Sequence, residues 1–110
     1  MRFLVFALVA AALALAAPAQ ADPPAAKRTW AQEKCFRYKR DWTEALRRFG
    51  ADGLSAAFVG GNEAFIASGC ESDAKICARL PRERELVDIL AIRAVNAGMS
   101  TTFLPFGCRE

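Results

Sequence analysis

Four cysteines in a chain of 110 residues limit the folds that are open to it. They are Cys35, Cys70, Cys77 and Cys108, separated by 34, 6 and 30 residues. Zinc sites usually contain closely spaced cysteine pairs such as C-x2-C, and this spacing has none. In an oxidising compartment, an even number of cysteines forms disulfides, which a small domain needs because its core is small. The sequence therefore predicts two disulfides and no metal site.

Residues 1–21 have the pattern of a secretory signal peptide. Arg2 is followed by an apolar run over positions 3–17, and the segment ends with Ala19-Gln20-Ala21. A charged start, a short apolar middle and an A-x-A end are typical of a cleaved leader. The run is shorter than the roughly 20 apolar residues that a membrane helix needs. We therefore expect cleavage after Ala21, export to the bacterial periplasm or the extracellular space, and no transmembrane segment in the mature chain.

The mature chain is expected to contain a flexible lead-in, residues 22–28, and one helical domain, residues 29–110. Without the leader it has 14 basic and 12 acidic side chains, which is too balanced for a nucleic-acid-binding protein. The sequence contains no histidine, and this excludes Ser-His and Cys-His nucleophilic catalysis. No glycine-rich phosphate-binding motif is present. We therefore assign no catalytic residue, no metal ligand and no cofactor.

Helical periodicity predicts an all-α fold of three or four short helices stapled by two disulfides. The first helix spans 29–49, with Thr29 as its N-cap and Gly50 after its end. The second covers about 54–68, and the third runs from Pro81 to about Ala97. The third helix is apolar on nearly all sides. We therefore expect the apolar tail, residues 99–108, to cover its outer side chains, Ile89, Ile92 and Val95.

A folded hairpin of the first two helices predicts the disulfide pairing. Cys35 lies 17 residues before Asp52 in the connecting turn and Cys70 lies 18 after it, so both come to the same end of the hairpin. The tail can span up to about 33 Å if extended, more than the length of the third helix. We predict Cys35–Cys70 with Cys77–Cys108. The alternative is Cys35–Cys108 with Cys70–Cys77.

Aromatic and basic positions off the apolar stripe of the first helix are candidates for partner binding. They are Trp30, Phe36, Arg40 and Arg47. The alternative for Phe36 is that the tail or the lead-in covers it, with arginine stems packed alongside. Two polar residues fall among apolar neighbours and are candidates for burial, Asn62 in the second helix and Asp88 in the third.

These features predict a small exported interaction protein without independent catalytic activity. An inhibitor, an immunity factor, a chaperone or an accessory subunit would have this form, and the partner would be another envelope or secreted protein. One alternative is a small-molecule carrier with a pocket lined by Phe58, Phe65, Phe103 and Phe106. Another is a small hydrolase that uses two carboxylates, such as Asp88 with Glu85 or Glu63 with Glu71.

Overall fold

The chain folds into a small helical structure closed by its C-terminal tail. The computed structural model describes residues 22–73 and 75–109. These residues form three α-helices, α1 over Trp30–Phe49, α2 over Ala56–Ala67 and α3 over Pro81–Asn96. Short 3₁₀ turns lie at Ala25–Lys27 and Thr101–Phe103. Within the described part of the chain there is no β-strand, so the predicted all-α class is confirmed. The predicted signal peptide lies outside the described residues.

The start of α1 is fixed by the capping residue that its sequence indicates. The Thr29 hydroxyl accepts a hydrogen bond from the Gln32 backbone N–H at 3.2 Å, and the Gln32 side chain accepts one from the Thr29 N–H at 3.0 Å. This reciprocal pair satisfies two N–H groups that the first turn of a helix leaves without helical partners. Helix α1 ends before Gly50, whose φ of 74° is in the left-handed region that favours glycine.

Both predicted disulfides are confirmed. Cys35 and Cys70 are bridged with their Cα atoms 5.4 Å apart, which joins α1 to the segment after α2. Cys77 and Cys108 are bridged with a Cα–Cα distance of 4.5 Å, which holds the tail beside the segment that leads into α3. The hairpin account of the first bridge is therefore correct, and the alternative pairing is wrong.

The tail does not cover the outer side of α3, and this prediction is wrong. The Ile76 N–H donates to the Pro105 carbonyl at 2.7 Å, and the Gly107 N–H donates to the Ile76 carbonyl at 3.0 Å. These bonds direct the tail toward the loop before α3. The Phe106 ring consequently stacks on Phe58 of α2, with centroids 5.9 Å apart. Tail residues fill the core between the helices, where Met99 and Leu104 pack against Ala94 on the inner side of α3, and they leave Ile92 and Val95 on its outer side exposed.

Helix α2 lies so close to the loop before α3 that one position requires glycine. A Cβ atom built on Gly61 would lie 2.9 Å from Ile76 Cγ1, whereas a Cβ on Gly60 meets nothing within 4 Å. Ile76 is itself buried in the core. The close approach therefore occurs at Gly61, and Gly60 faces outward on the same helix.

A buried hydrogen-bond chain links α1 to α2. Asn62 has no solvent-exposed surface. The Tyr38 hydroxyl donates to Asn62 Oδ1 at 2.5 Å, and Asn62 Nδ2 donates to the Phe58 carbonyl at 2.9 Å. Burial raises the pKa of Tyr38, so the phenol stays protonated and keeps its donor. The amide therefore has partners within the core, as a buried polar group requires.

A buried carboxylate joins the start of α2 to the start of α3. Glu83 is only 1% exposed. Its Oε2 accepts hydrogen bonds from the backbone N–H and the hydroxyl of Ser55, at 2.9 and 2.8 Å. Its Oε1 accepts from the backbone N–H groups of Arg79 and Leu80, at 3.1 and 3.2 Å. Burial alone would raise the pKa of Glu83, but these donors outweigh it and lower the pKa below its ordinary value.

Candidate functional site

The outer face of α1 brings together three of the four predicted partner-binding residues. Phe36, Arg40 and Arg47 follow one another at intervals of about one or two turns, so they share one side of the helix. Together with neighbouring side chains they line a shallow cavity of about 450 Å³. The remaining lining residues are Asp22, Lys39, Thr43 and Glu44. This side of α1 points away from the core residues Tyr38, Trp42 and Ala45.

Phe36 is half-buried because the lead-in covers one side of its ring. The Arg28 guanidinium lies 3.7 Å from the ring centroid. Arg28 is held there by the Pro23 carbonyl at 2.6 Å and by Glu33 at 2.8 Å. The arrangement matches the alternative in which the lead-in and an arginine pack on Phe36. Phe36 therefore supplies an apolar wall to the cavity rather than a freely projecting ring.

A second cavity, of about 460 Å³, lies between α1 and α3. Three guanidinium groups line it, those of Arg37, Arg40 and Arg93. Arg37 donates from Nη1 to the Ala97 carbonyl at 2.8 Å and from Nε to Glu33 at 2.9 Å. The hydrogen bonds from Arg28 and then from Arg37 lower the pKa of Glu33. The carboxylate thus stays ionised and holds the Arg37 side chain in one orientation.

The floor of this second cavity is a buried carboxylate. Asp41 is 4% exposed and lies 3.5 Å from Arg93 and 3.6 Å from Arg40. Arg93 also pairs with Glu44 at 3.6 Å, so it connects α3 to two positions of α1. Sequence reasoning did not single out Arg37, Asp41 or Arg93. These residues are recognised by the ion pairs that they form between two helices, and such pairs can be identified only when the packing of α1 on α3 is known.

An exposed apolar patch lies on the outer side of α3. Ile92 is 61% exposed and Val95 is 56% exposed. They line a third cavity, of about 320 Å³, together with Ala91, Asn96 and Thr101. Asp88 is also exposed, so the prediction that it is buried is wrong. The reason is the path of the tail, which leaves this side of α3 open.

The three cavities form one continuous surface. Arg40 lines both the first and the second cavity, and Asn96 lines both the second and the third. We call this surface the α1–α3 face and define it by the following residues: Phe36, Arg37, Arg40, Thr43, Arg47, Ile92, Arg93, Val95 and Asn96. Trp30 adjoins it, because the Arg37 guanidinium lies 5.5 Å from the Trp30 ring and Trp30 is 52% exposed.

The four phenylalanines proposed for a carrier pocket pack against other aromatic rings. Phe65 and Phe103 have centroids 5.9 Å apart, and both contact the ring of Tyr38 edge-on. Phe58 is 1% exposed and stacks on Phe106. Their rings therefore contact other side chains of the core, and this packing favours a structural role for the four phenylalanines.

The carboxylates proposed for a hydrolase lie at exposed positions. Glu63 accepts a hydrogen bond from the Trp42 indole N–H at 3.1 Å, and Glu85 pairs with Arg82 at 3.2 Å. Over residues 22–73 and 75–109, no cluster of three or more Cys, Asp or Glu side chains is placed to hold a metal ion. In the same ranges, no helix is both long and apolar enough to cross a membrane.

Comparisons with protein-family models, with curated proteins and with solved structures found no match to this chain. The functional interpretation therefore depends on the chemistry of the α1–α3 face and on the two disulfides.

Proposed function

We propose that this chain is an exported, non-enzymatic interaction protein that binds another envelope or secreted protein through the α1–α3 face. The observation that supports this proposal most strongly is the continuity of the three cavities across two helices. Protein interfaces combine apolar anchors with arginine and aromatic side chains, and this surface offers all three within one area.

Binding of a partner over the exposed apolar side chains of the face is energetically favourable. Among the residues that the structure describes, Ile92 and Val95 are the two most exposed of the large apolar side chains. They are adjacent on the helix surface, because residues three apart in a helix are neighbours. Burying a β-branched side chain of this size contributes about 1.5–3 kcal/mol. A partner that covers both would thus gain a substantial part of its binding free energy from this patch.

The two disulfides support export. Paired cysteines persist in oxidising compartments such as the periplasm and are rare where thiols are kept reduced. Both bridges join segments that are more than 30 residues apart in sequence, with separations of 35 and 31. Bridges that close loops of this length restrict the unfolded chain and stabilise the fold by roughly 3–4 kcal/mol each. The fold therefore suits the compartment to which the predicted leader would send it.

The experiment is co-isolation from the cell envelope that exports the protein. The full-length chain, with its leader and a C-terminal affinity tag, is compared with the double variant Thr43→Glu/Arg47→Glu. Both positions are exposed on the α1–α3 face. The matched control is Ala57→Glu/Lys75→Glu, which makes the same change in net charge at exposed positions elsewhere.

We expect the unmodified chain and the control to recover one partner protein, and the face variant to recover at least about tenfold less. Circular dichroism of each purified variant checks that the fold is retained. Equal recovery by the face variant and the control would contradict the proposal. So would the absence of any protein above the background of an untagged strain.

A further inference from the structure

We infer that the α1–α3 face recognises an acidic segment of its partner, in which a carboxylate lies within about one helical turn of an apolar side chain. This inference rests on the proposed function and specifies the chemistry of the partner. The carboxylate would enter the cavity lined by Arg37, Arg40 and Arg93, and the apolar side chain would cover Ile92 and Val95.

Around Asp41, the guanidinium groups lie nearer to solvent than the carboxylate. The Arg40 side chain is 57% exposed, whereas that of Asp41, to which it is paired, is 5% exposed. The Arg93 side chain, at 35%, is likewise more exposed than Asp41 beneath it. Arg37 is more exposed than its partner Glu33, at 31% against 23%. A molecule that approaches the cavity above Asp41 therefore meets the guanidinium groups of Arg40 and Arg93 before that carboxylate. The Glu44 side chain is exposed beside them, at 37% against 35% for its partner Arg93.

Two of these guanidinium groups are already held in place and keep unused donors. Arg37 uses Nε and Nη1 for Glu33 and Ala97. Arg93 uses Nη1 for Asp41 and Glu44. Among the described residues, Nη2 of either arginine makes no hydrogen bond. Planar guanidinium groups bind carboxylates through paired N–H donors, and groups that are already ordered lose less entropy on binding.

The apolar patch lies next to this cavity along α3. Asn96 lines both cavities, and Ile92 precedes it by four residues, which places the two side chains about 6 Å apart on the helix surface. A partner segment that fills both sites needs its acidic and apolar groups at a similar spacing. Neighbours in an extended segment or residues three to four apart in a helix satisfy this requirement.

The charges of the site favour a protein segment over an anionic membrane surface. The guanidinium groups line an open depression of about 460 Å³ between two helices, and they share it with the carboxylate of Asp41. Glu33 belongs to the same lining, and Glu44 lines the adjoining cavity on α1. These carboxylates would repel the many closely spaced phosphates of a headgroup layer more strongly than they would repel one carboxylate that binds beside the arginines.

The experiment is selection from a random peptide library on the immobilised, oxidised protein. We expect enrichment of peptides in which Asp or Glu lies within four residues of Leu, Ile, Val or Phe. The selection is repeated on Arg40→Gln and on Val95→Gln, both at exposed positions of the face. The matched controls lie at exposed positions outside the face: Arg79→Gln makes the same change as Arg40→Gln, and Leu80→Gln likewise replaces an exposed aliphatic side chain by glutamine.

Arg40→Gln should reduce the enrichment of acidic residues and Val95→Gln that of apolar residues, while the controls retain both. An enriched peptide should bind either face variant at least about fivefold more weakly than the controls. Absence of enrichment, enrichment of basic peptides, or equal binding by all variants would overturn the inference. A further test is sedimentation of the protein with vesicles of anionic phospholipid. If the protein sediments with the vesicles, Arg40→Gln abolishes this, and no peptide is enriched, the inference is overturned in favour of a membrane surface.

The two proposals fail in different ways. A partner recovered from the envelope through the α1–α3 face, but with a basic or purely polar contact segment, would overturn the inference alone. Failure to recover any partner would overturn the proposed function, whereas the peptide selection would separately support or overturn the chemistry assigned to the face.

Discussion

At the scale of single residues, the buried carboxylate of Glu83 connects the starts of two helices. It accepts four hydrogen bonds, two from Ser55 and one each from the backbone of Arg79 and Leu80. Three of these donors are backbone N–H groups at the starts of α2 and α3, where helical partners are missing. One side chain therefore fixes the position of two helix starts relative to each other.

We expect Glu83→Gln to lower the free energy of unfolding by about 2 kcal/mol, because a neutral amide accepts more weakly and brings an NH₂ group against backbone donors. Urea denaturation measures this difference. The control is Glu85→Gln, at an exposed position paired with Arg82, where the expected loss is below about 0.5 kcal/mol. Equal losses at the two positions would show that the Glu83 network does not stabilise the fold.

The stability difference between the unmodified chain and Glu83→Gln depends on pH with a definite sign. The pKa of Glu83 is lower in the folded chain than its ordinary value of 4.5. The ionised carboxylate therefore stabilises the fold above that ordinary value, and the contribution is lost as the pH falls through the lower, folded-state value. The stability difference between the unmodified chain and Glu83→Gln should be constant near neutral pH and should shrink on acidification. A difference that grows below pH 4.5 would contradict the lowered pKa.

At the scale of elements, local rules predicted the helices well and the tail poorly. Thr29 and Pro81 mark the starts of α1 and α3 as expected, because capping and proline placement act within one turn. The direction of the tail depends on distant contacts, here the pairing of Ile76 with Phe106. The apolar pattern of α3 does not indicate which side of the helix the tail contacts, since nearly every side of the helix is apolar. Ile92 and Val95 were therefore expected to be covered, and they are exposed.

The two adjacent glycines of α2 provide a matched test of helix packing. Gly60→Ala should stabilise the fold by roughly 0.5–1 kcal/mol, because alanine has the higher helix propensity and the new Cβ meets nothing within 4 Å. Gly61→Ala should destabilise it by about 1–3 kcal/mol, since its Cβ would lie 2.9 Å from the buried Ile76. Thermal unfolding of both variants compares them directly. Stabilisation by both substitutions would mean that α2 does not approach Ile76 this closely.

At the scale of the whole molecule, the candidate site is a property of how two helices pack. Phe36, Arg40 and Arg47 could be grouped from the sequence, because they share one side of one helix. The sequence does not show that this group continues across Asp41 and Arg93 to Val95, because this depends on how α1 and α3 are rotated relative to each other. The exposed apolar patch is the sharpest difference between expectation and structure. It also adds apolar contact area to the surface that the three cavities form.

The central claim, that the α1–α3 face binds a partner protein, is tested most directly by site-specific photocrosslinking in the intact cell envelope. A photoreactive amino acid is placed singly at Thr43, at Ile92 or at Ala57, all of which are exposed. Thr43 and Ile92 lie on α1 and α3 within the face, and Ala57 lies on α2 outside it. We predict that the first two positions give the same crosslinked partner and that position 57 does not. A partner crosslinked from position 57 alone, or no crosslink from positions 43 and 92, would contradict the claim.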